Sequence, residues 1–385
     1  MERMSPHPLA ALLMPTLAIV IPAGAETAAP ALLPPGAIWQ DNNGRHINAH
    51  GGGILVDNGI YYWYGEHKVE GDAGNYAQVG VHCYSSLDLV HWTDEGIVLP
   101  VSDDPDSPIA KGCILERPKV VKCAATGRYV MWFHLELKGK GYSSAYSGVA
   151  VSESPKGPFT FLRAGRINPG HWPLNLPEGQ RDVSLSPKLP VLRGSCYGEG
   201  DDRLAFLRRD FAGGQMARDM TIFVDDDGTA YHIYASEENS TLHIAELTPD
   251  YTAHTGRYIR LFEGRFHEAP SICKRGGKYY MITSGCTGWA PNAARSMVAD
   301  SIFGEWKELG NPCTGPGADK TFGAQSTYIL QFPDRPDTYI FMADRWRPAN
   351  AIDGRYVWLP LQFTPEGALR LEMPARNEAQ APEKP

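Results

Sequence analysis

One phrase recurs along this chain and limits what it can become. Ile54-Leu55-Val56, a turn at Asp57-Asn58-Gly59, and Ile60-Tyr61-Tyr62-Trp63-Tyr64 set two β-rich runs around an Asn-Gly pair. This is a strong hairpin signal, because Asn and Gly accept the positive φ that a tight hairpin turn demands. The phrase returns at Val120-Val121-Lys122 through Thr126-Gly127 to Tyr129-Val130-Met131-Trp132-Phe133. It returns again at Ile222-Phe223-Val224 through Asp227-Gly228 to Tyr231-His232-Ile233-Tyr234, and at Ile272-Cys273-Lys274 through Gly276-Gly277 to Tyr279-Tyr280-Met281-Ile282. A looser fifth copy joins Tyr328-Ile329-Leu330 to Tyr339-Ile340-Phe341-Met342. Further strand-like text follows the hairpins, as residues 79–84 run into 86–92, 147–152 into 154–159, and 296–299 into 301–306. Each unit therefore reads as four short strands. Unequal repeats of four-stranded sheets predict an all-β fold, a five-bladed β-propeller. A solenoid would repeat at a shorter and more regular period, and a sandwich would not repeat the hairpin.

The repeat also locates an insertion. From Ile54 to Val120, Ile222, Ile272 and Ile329 the intervals are 66, 102, 50 and 57 residues. The long gap, about residues 164–217, lies between the second and third blades and has weak periodicity. Loops of that length usually carry function or move. The 40 Gly and 31 Pro suit many tight turns and disfavour a helical bundle. A net charge of -8 argues against a nucleic-acid or anionic-membrane surface, which needs a basic face.

Residues 1–25 have the pattern of a signal peptide: Arg3, an apolar stretch over 9–21, then Ala23-Gly24-Ala25. The apolar stretch is shorter than the ~20 residues a spanning helix needs. The mature protein is therefore expected in the periplasm or outside the cell, away from the membrane once the signal is cleaved, and as a monomer. The propeller is expected over 26–372 and a disordered tail over 373–385, which is rich in Ala, Glu and Pro. Seven cysteines, an odd number without metal-ligand spacing, read mostly as buried apolar residues. One or two bridges are allowed, with Cys113 and Cys123 the nearest pair.

In a propeller the first strand of each blade lines the central axis, so residues of equal phase converge on one mouth. Four places before the reference residues stand His50, Glu116, Glu268 and Gln325, and Asp219 lies three places before Ile222. Three carboxylates in one mouth raise one another's pKa, so one can stay protonated near neutral pH. A protonated and an ionised carboxyl group together are the equipment for cleaving a glycosidic bond. A calcium site or a structural network would use the same residues.

The phrases Asn48-Ala49-His50-Gly51-Gly52-Gly53, Glu116-Arg117-Pro118-Lys119, Arg218-Asp219-Met220, Glu268-Ala269-Pro270, Gly288-Trp289-Ala290-Pro291-Asn292 and Asp344-Arg345-Trp346-Arg347-Pro348 resemble glycoside hydrolase family 43. The resemblance spans about residues 37–365 and is nearest the branch of exo-β-1,3-galactanases and arabinogalactan-active enzymes. It implies an inverting, exo-acting hydrolase with Glu268 as general acid and Asp219 as the carboxylate that tunes it. Most members carry an Asp base in the first blade, and Ala49-His50-Gly51-Gly52 has none. The resemblance then implies that Glu116 or Gln325 positions or activates water. A Gln amide accepts a hydrogen bond but takes up a proton poorly, and Arg117 beside Glu116 would lower that group's pKa. Glu66, Asn239, Thr287 and Trp289 match sugar-lining positions. His50 and Arg345 are further candidate substrate contacts, while His134 and His232 read as core histidines. Some members hold a channel calcium, but Gln325 stands where its last-blade His would be, so no metal or other cofactor is expected. The expected substrate is an oligo- or polysaccharide with terminal β-1,3-linked galactose. An arabinofuranosidase or galactofuranosidase on the same scaffold, and a non-catalytic sugar-binding propeller, are the alternatives.

Overall fold

The computed structural model describes residues 31–185 and 188–374. The signal-peptide reading of 1–25 and nearly all of the tail reading of 373–385 lie outside that range. The first sheet contains β1 (His50–Asp57), β2 (Ile60–His67), β3 (Gly80–Ser86) and β4 (Thr93–Pro100). The second contains β5 (Ile114–Lys122), β6 (Tyr129–Glu136), β7 (Tyr146–Ser152) and β8 (Thr160–Gly165). The third contains β9 (Met220–Val224), β10 (Ala230–Ser236), β11 (Thr241–Leu247) and β12 (His254–Leu261). The fourth contains β13 (His267–Arg275), β14 (Lys278–Gly285), β15 (Arg295–Ala299) and β16 (Trp306–Gly310). After the short β17 (Cys313–Thr314) come β18 (Gln325–Phe332), β19 (Arg335–Arg345) and β20 (Arg355–Pro360), which form a three-stranded sheet. Last are β21 (Gln362–Phe363) and β22 (Leu369–Glu372).

All four-stranded sheets are antiparallel meanders, and the arrangement is a β-propeller. β1 packs on β5, β5 on β9, β9 on β13, β13 on β18, and β18 returns to β1. The expected count of five sheets is corrected to six among the described residues. The sixth joins β17, β22 and β21. Its β17–β22 pair is parallel and unites residues 313 and 371, so no local hairpin phrase announces it. A second correction concerns the text after each third strand. Residues 87–91, 153–159 and 300–305 are turns rather than strand, each pressing an apolar anchor, Leu89, Phe159 or Ile302, into the core.

Local chemistry explains the hairpins. Asn58 and Gly59 take φ of 50° and 77° in the first turn, the left-handed pair that a two-residue hairpin needs. Between the first and fifth sheets, Trp63 meets Tyr356 at 4.6 Å and Trp358 at 4.7 Å, with Trp39 and Trp92 packed around them. This aromatic seam closes the ring. No disulfide forms among the described residues. Cys113 and Cys123 are both buried and unbridged, in separate parts of the core.

The described part of the insertion is tied to the third sheet. Asn175 Nδ2 donates to the Arg260 carbonyl at 2.7 Å and its Oδ1 accepts the Arg260 N–H at 3.1 Å. A short α-helix, α1 (Ala205–Arg209), buries Ala205, Phe206 and Leu207.

Three inner strands share a distortion at the same end. His50, Glu116 and Glu268 pair with Glu66, His134 and Ser284, and immediately afterwards the register slips. The next residue is left-handed in each: Gly51 at 63°, Arg117 at 55° and Ala269 at 52°. For Arg117 and Ala269 that conformation costs roughly 1–2 kcal/mol each. The cost is offset, because each re-aimed N–H reaches a carboxylate. Gly51 donates to Asp344 Oδ2 at 2.7 Å, Arg117 to Glu66 Oε1 at 2.9 Å, and Ala269 to Asp219 Oδ2 at 3.1 Å. Bulges of this kind re-aim side chains, and here they turn Glu116 and Glu268 toward one cavity.

Candidate active site

The cavity has a volume of about 680 Å³, and Glu66, Glu116, Arg117, Asp219, Glu268 and Gln325 form its polar floor. Glu268 is the group set apart by its surroundings. Burial pushes its carboxyl up and the Asp219 charge pushes it further, to about 7, against the pull of Cys286, Arg117 and Arg218. Its Oε1 accepts the Asn239 amide at 2.7 Å and the Cys286 thiol at 3.2 Å. Near neutral pH such a carboxyl group is partly protonated and able to give that proton away.

Asp219 stands just before β9 and is held from two sides. Its Oδ1 pairs with Arg117 Nε at 2.9 Å, and its Oδ2 takes the Ala269 N–H. Arg117 is the hub of the floor. Besides Asp219 it reaches Gln325 Oε1 at 2.7 Å and the Ser326 carbonyl at 2.9 Å, and it lies 5.8 Å from the Trp346 ring centroid. Gln325 has both acceptor positions filled and one donor in use: Oε1 also accepts the Trp346 indole at 2.8 Å, and Nε2 gives one of its two hydrogens to Ser284 at 2.9 Å.

Glu116 has the opposite electrostatic setting from Glu268. Burial acts to raise its carboxyl, but His134, Lys68 and Tyr142 overcome that and hold it at about 2. His134 donates to Glu116 Oε2 and Glu136 Oε1, both at 3.0 Å. Burial disfavours the imidazolium, yet the two carboxylates raise His134 to about 9. The floor thus separates a proton-bearing carboxyl group from an ionised one, which is the division of labour that acid-assisted hydrolysis needs.

Asn239 is delivered by an unusual turn. Glu237, Glu238 and Asn239 are all left-handed, at 53°, 57° and 64°. Glu237 is clamped by Arg260 Nε at 2.6 Å and His243 at 2.7 Å. Glu238 is held at 2.9 Å by both Arg218 and Arg209, the latter from the insertion.

Residues 206–367 match the family described as glycosyl hydrolases family 43. A β-1,3-galactosidase of that family, solved with galactodeoxynojirimycin, is 52% identical with a TM-score of 0.83, covering 89% of this chain and 99% of that chain. This chain belongs to glycoside hydrolase family 43. It is a glycoside hydrolase. An exo-β-1,3-galactanase from Clostridium thermocellum is 35% identical with a TM-score of 0.69, over 88% of this chain and 64% of that one. One from Phanerochaete chrysosporium, solved with β-1,3-galactotriose, is 30% identical with a TM-score of 0.69, over 88% and 66%. No curated protein matches the chain.

In this family 43 enzyme the structure brings together Glu268, Asp219, Glu116, Gln325, Glu66, Asn239 and Trp289 around the cavity. Trp289 is 44% exposed and meets Trp346 edge-on at 6.0 Å. The other three candidates stand apart from the lining. His50 is fully buried, stacks on Tyr356 at 5.3 Å and faces Asp344 at 3.8 Å. Thr287 spends its hydroxyl inside its own loop, on the Ala290 carbonyl and the Asn292 amide. Arg345 turns its Nε to the Phe322 carbonyl at 3.0 Å. Sequence reasoning missed Lys68, Tyr142, Arg218 and Cys286. Of these only Arg218, next to Asp219, carried a signal.

Glu116, His134 and Asp219 offer three ligand atoms within 4.8 Å of one another. They do not suit a metal ion. His134 carries a hydrogen on each ring nitrogen in its bridge between Glu116 and Glu136, and Asp219 already holds Arg117. Deeper in the channel, Lys119 Nζ already occupies the Gly51 and Arg117 carbonyls at 2.9 and 3.3 Å, and burial together with the Arg117 charge pushes its ammonium down to about 7.

Proposed function

We propose that this enzyme removes terminal galactose from β-1,3-linked galactan or arabinogalactan by a single, inverting displacement. The observation that carries the reading is the pairing of Glu268, held near neutral, with the Asp219–Arg117 ion pair on a floor that also presents ionised Glu116. Glu268 gives its proton to the leaving oxygen. Asp219 keeps that proton in place until substrate arrives and, through the Ala269 N–H, fixes the strand that carries Glu268. Neither Glu116 nor Gln325 is an ordinary base, because one carboxyl is held at about 2 and the other group is an amide with both acceptor positions of Oε1 filled. We assign both to holding the attacking water, Glu116 through its negative charge and Gln325 through its remaining amide hydrogen. Galactose as the sugar and β-1,3 as the linkage rest on the relatives, whose names carry both.

An exo action is supported by a wall beside the cavity. The short helical turn Asp72–Asn75 packs on another at Ala351–Asp353, with Gly71 N–H on Asn350 Oδ1 at 2.9 Å. Asp72, Ala73 and Asn75 of this wall line the cavity together with Glu66, and we read it as favouring a chain end. We also take the ring as five blades with the sixth sheet an outer addition to the last, a reading supported by the cyclic packing of β1, β5, β9, β13 and β18. Export of a monomer is part of the same proposal, with export supported by the N-terminal sequence.

The test is Glu268→Gln against β-1,3-galactobiose, with proton NMR of the first sugar released by the wild type. The variant should release no galactose, and the wild type should first yield the α-anomer. Wild-type-like turnover by the variant overturns the acid assignment, and a β-anomer as first product overturns inversion.

A further inference from the structure

Two donors converge on one oxygen of Glu268. Asn239 Nδ2 and Cys286 Sγ lie 2.7 and 3.2 Å from Oε1, and 3.8 Å from each other. No hydrogen bond from a described residue reaches Oε2, while Glu268 itself lines the cavity. A proton on Oε1 would face two other hydrogens. On Oε2 it meets none.

Cys286 is built to hold this position. It follows β14, where Gly285 is pinned on both sides by Asn292, at 2.7 and 3.0 Å. The Cys286 carbonyl also accepts the Ser195 hydroxyl from the insertion. Burial and the nearby Glu268 charge push the thiol up to about 11, so it remains S–H and donates. The charged groups facing Glu268 are Asp219, Arg117 and Arg218. None of them makes a hydrogen bond to Oε1.

We propose that Cys286 is a positioning residue for the acid: its S–H and the Asn239 amide occupy Oε1, so the transferable proton stands on Oε2. The inference rests on Glu268 being the acid. As the C1–O bond breaks, its electron pair goes to the leaving oxygen, which takes the Oε2 proton. The attacking water bonds to C1 and sheds a proton to solvent. Glu268 becomes a carboxylate, and both bonds to Oε1 strengthen as they become charge-assisted. Cys286 therefore aids the transition state more than the ground state.

The experiment compares Cys286→Ala and Cys286→Ser with wild type on β-1,3-galactobiose and on a nitrophenyl β-galactoside, whose leaving group needs no proton. Loss of the donor in the alanine variant should raise the basic limb of kcat/KM by roughly half a pH unit. It should slow galactobiose several-fold while leaving the nitrophenyl substrate unchanged, and serine should restore both. An unmoved limb, or equal losses on both substrates, overturns the proposal even where Glu268→Gln is inactive. Galactobiose turnover by Glu268→Gln would instead overturn the reading beneath it. Thermal melting of both cysteine variants checks that the fold is kept, and serine's rescue excludes a purely structural effect.

Discussion

Replacing Asp219 by Asn removes one charge while keeping the side chain's shape, and it separates two roles that the structure gives this residue. The carboxylate accepts from two donors, Arg117 Nε on Oδ1 and the Ala269 N–H on Oδ2. An Asn has a single oxygen, so its NH₂ must face one of those donors. One buried donor is left without a partner, at a cost of about 1–3 kcal/mol in stability. The second effect is electrostatic. Burial is the first cause holding Glu268 at about 7, and the Asp219 charge is the second. If the charge supplies about one unit, the Glu268 midpoint falls toward 6, and its protonated fraction near pH 7 drops from about a half to about a tenth. Near pH 5 the fraction changes little. The ratio of variant to wild-type kcat/KM should thus improve about fivefold between pH 7 and pH 5, on top of a constant loss from the displaced Ala269 strand. Galactose release from β-1,3-galactobiose, measured from about pH 4.5 to 8.5, gives both components. Parallel profiles, with a deficit independent of pH, would refute the electrostatic role and leave Asp219 as a purely geometric support.

Arg117→Lys keeps the charge but cannot span Asp219, Gln325 and the Ser326 carbonyl together, so kcat/KM should fall roughly 100-fold with an intact melt; a loss under threefold would contradict the hub. His134→Asn strands two carboxylates and should lower stability by about 3 kcal/mol. His134 is raised in the fold to about 9, so its contribution is full below its unfolded value near 6.5 and fades as pH passes 9. The melting gap between wild type and variant should narrow over that interval, and a gap that widens would contradict the bridge. Glu268→Gln should be more stable than wild type above pH 7, by on the order of 3 kcal/mol, because ionising Glu268 in the fold is costly there. Below about pH 4.5 the advantage should vanish; an advantage that persists there would show that the gain is not electrostatic.

The hairpins were legible because their cause is local. Asn58-Gly59 and Gly276-Gly277 state their turn in two residues. The phase of the inner strands was legible too, since His50, Glu116, Glu268 and Gln325 do occupy the mouth ends of β1, β5, β13 and β18. Phase alone does not say which side chain reaches the cavity. His50 is kept out by Tyr356 stacked on it and by Gly354, where a Cβ would come within 2.6 Å of the ring, contacts from some 300 residues away. Tyr142 and Lys68 sit beside strands, outside the repeated phrase, so periodicity had no hold on them. Glu136 lies past the apolar run 129–133 at the end of β6 and gave no signal, although it is a buried anchor for His134. Cys286 read as a small apolar filler, and only the 3.2 Å approach to Glu268 reveals its donor role.

The kinked inner strands have a consequence for the life of the chain. Arg117 is latched by an acid from the sheet before it, Ala269 likewise, and Gly51 by Asp344 from the last large sheet. The first strand therefore waits for the final one. A nascent polypeptide three-quarters made already holds Glu268 and Asp219, yet the bend beside His50 has no acid to grip until residue 344 emerges. The last bend at the mouth is thus secured only near the end of synthesis, and a fragment trimmed short of Asp344 lacks the acid that holds it.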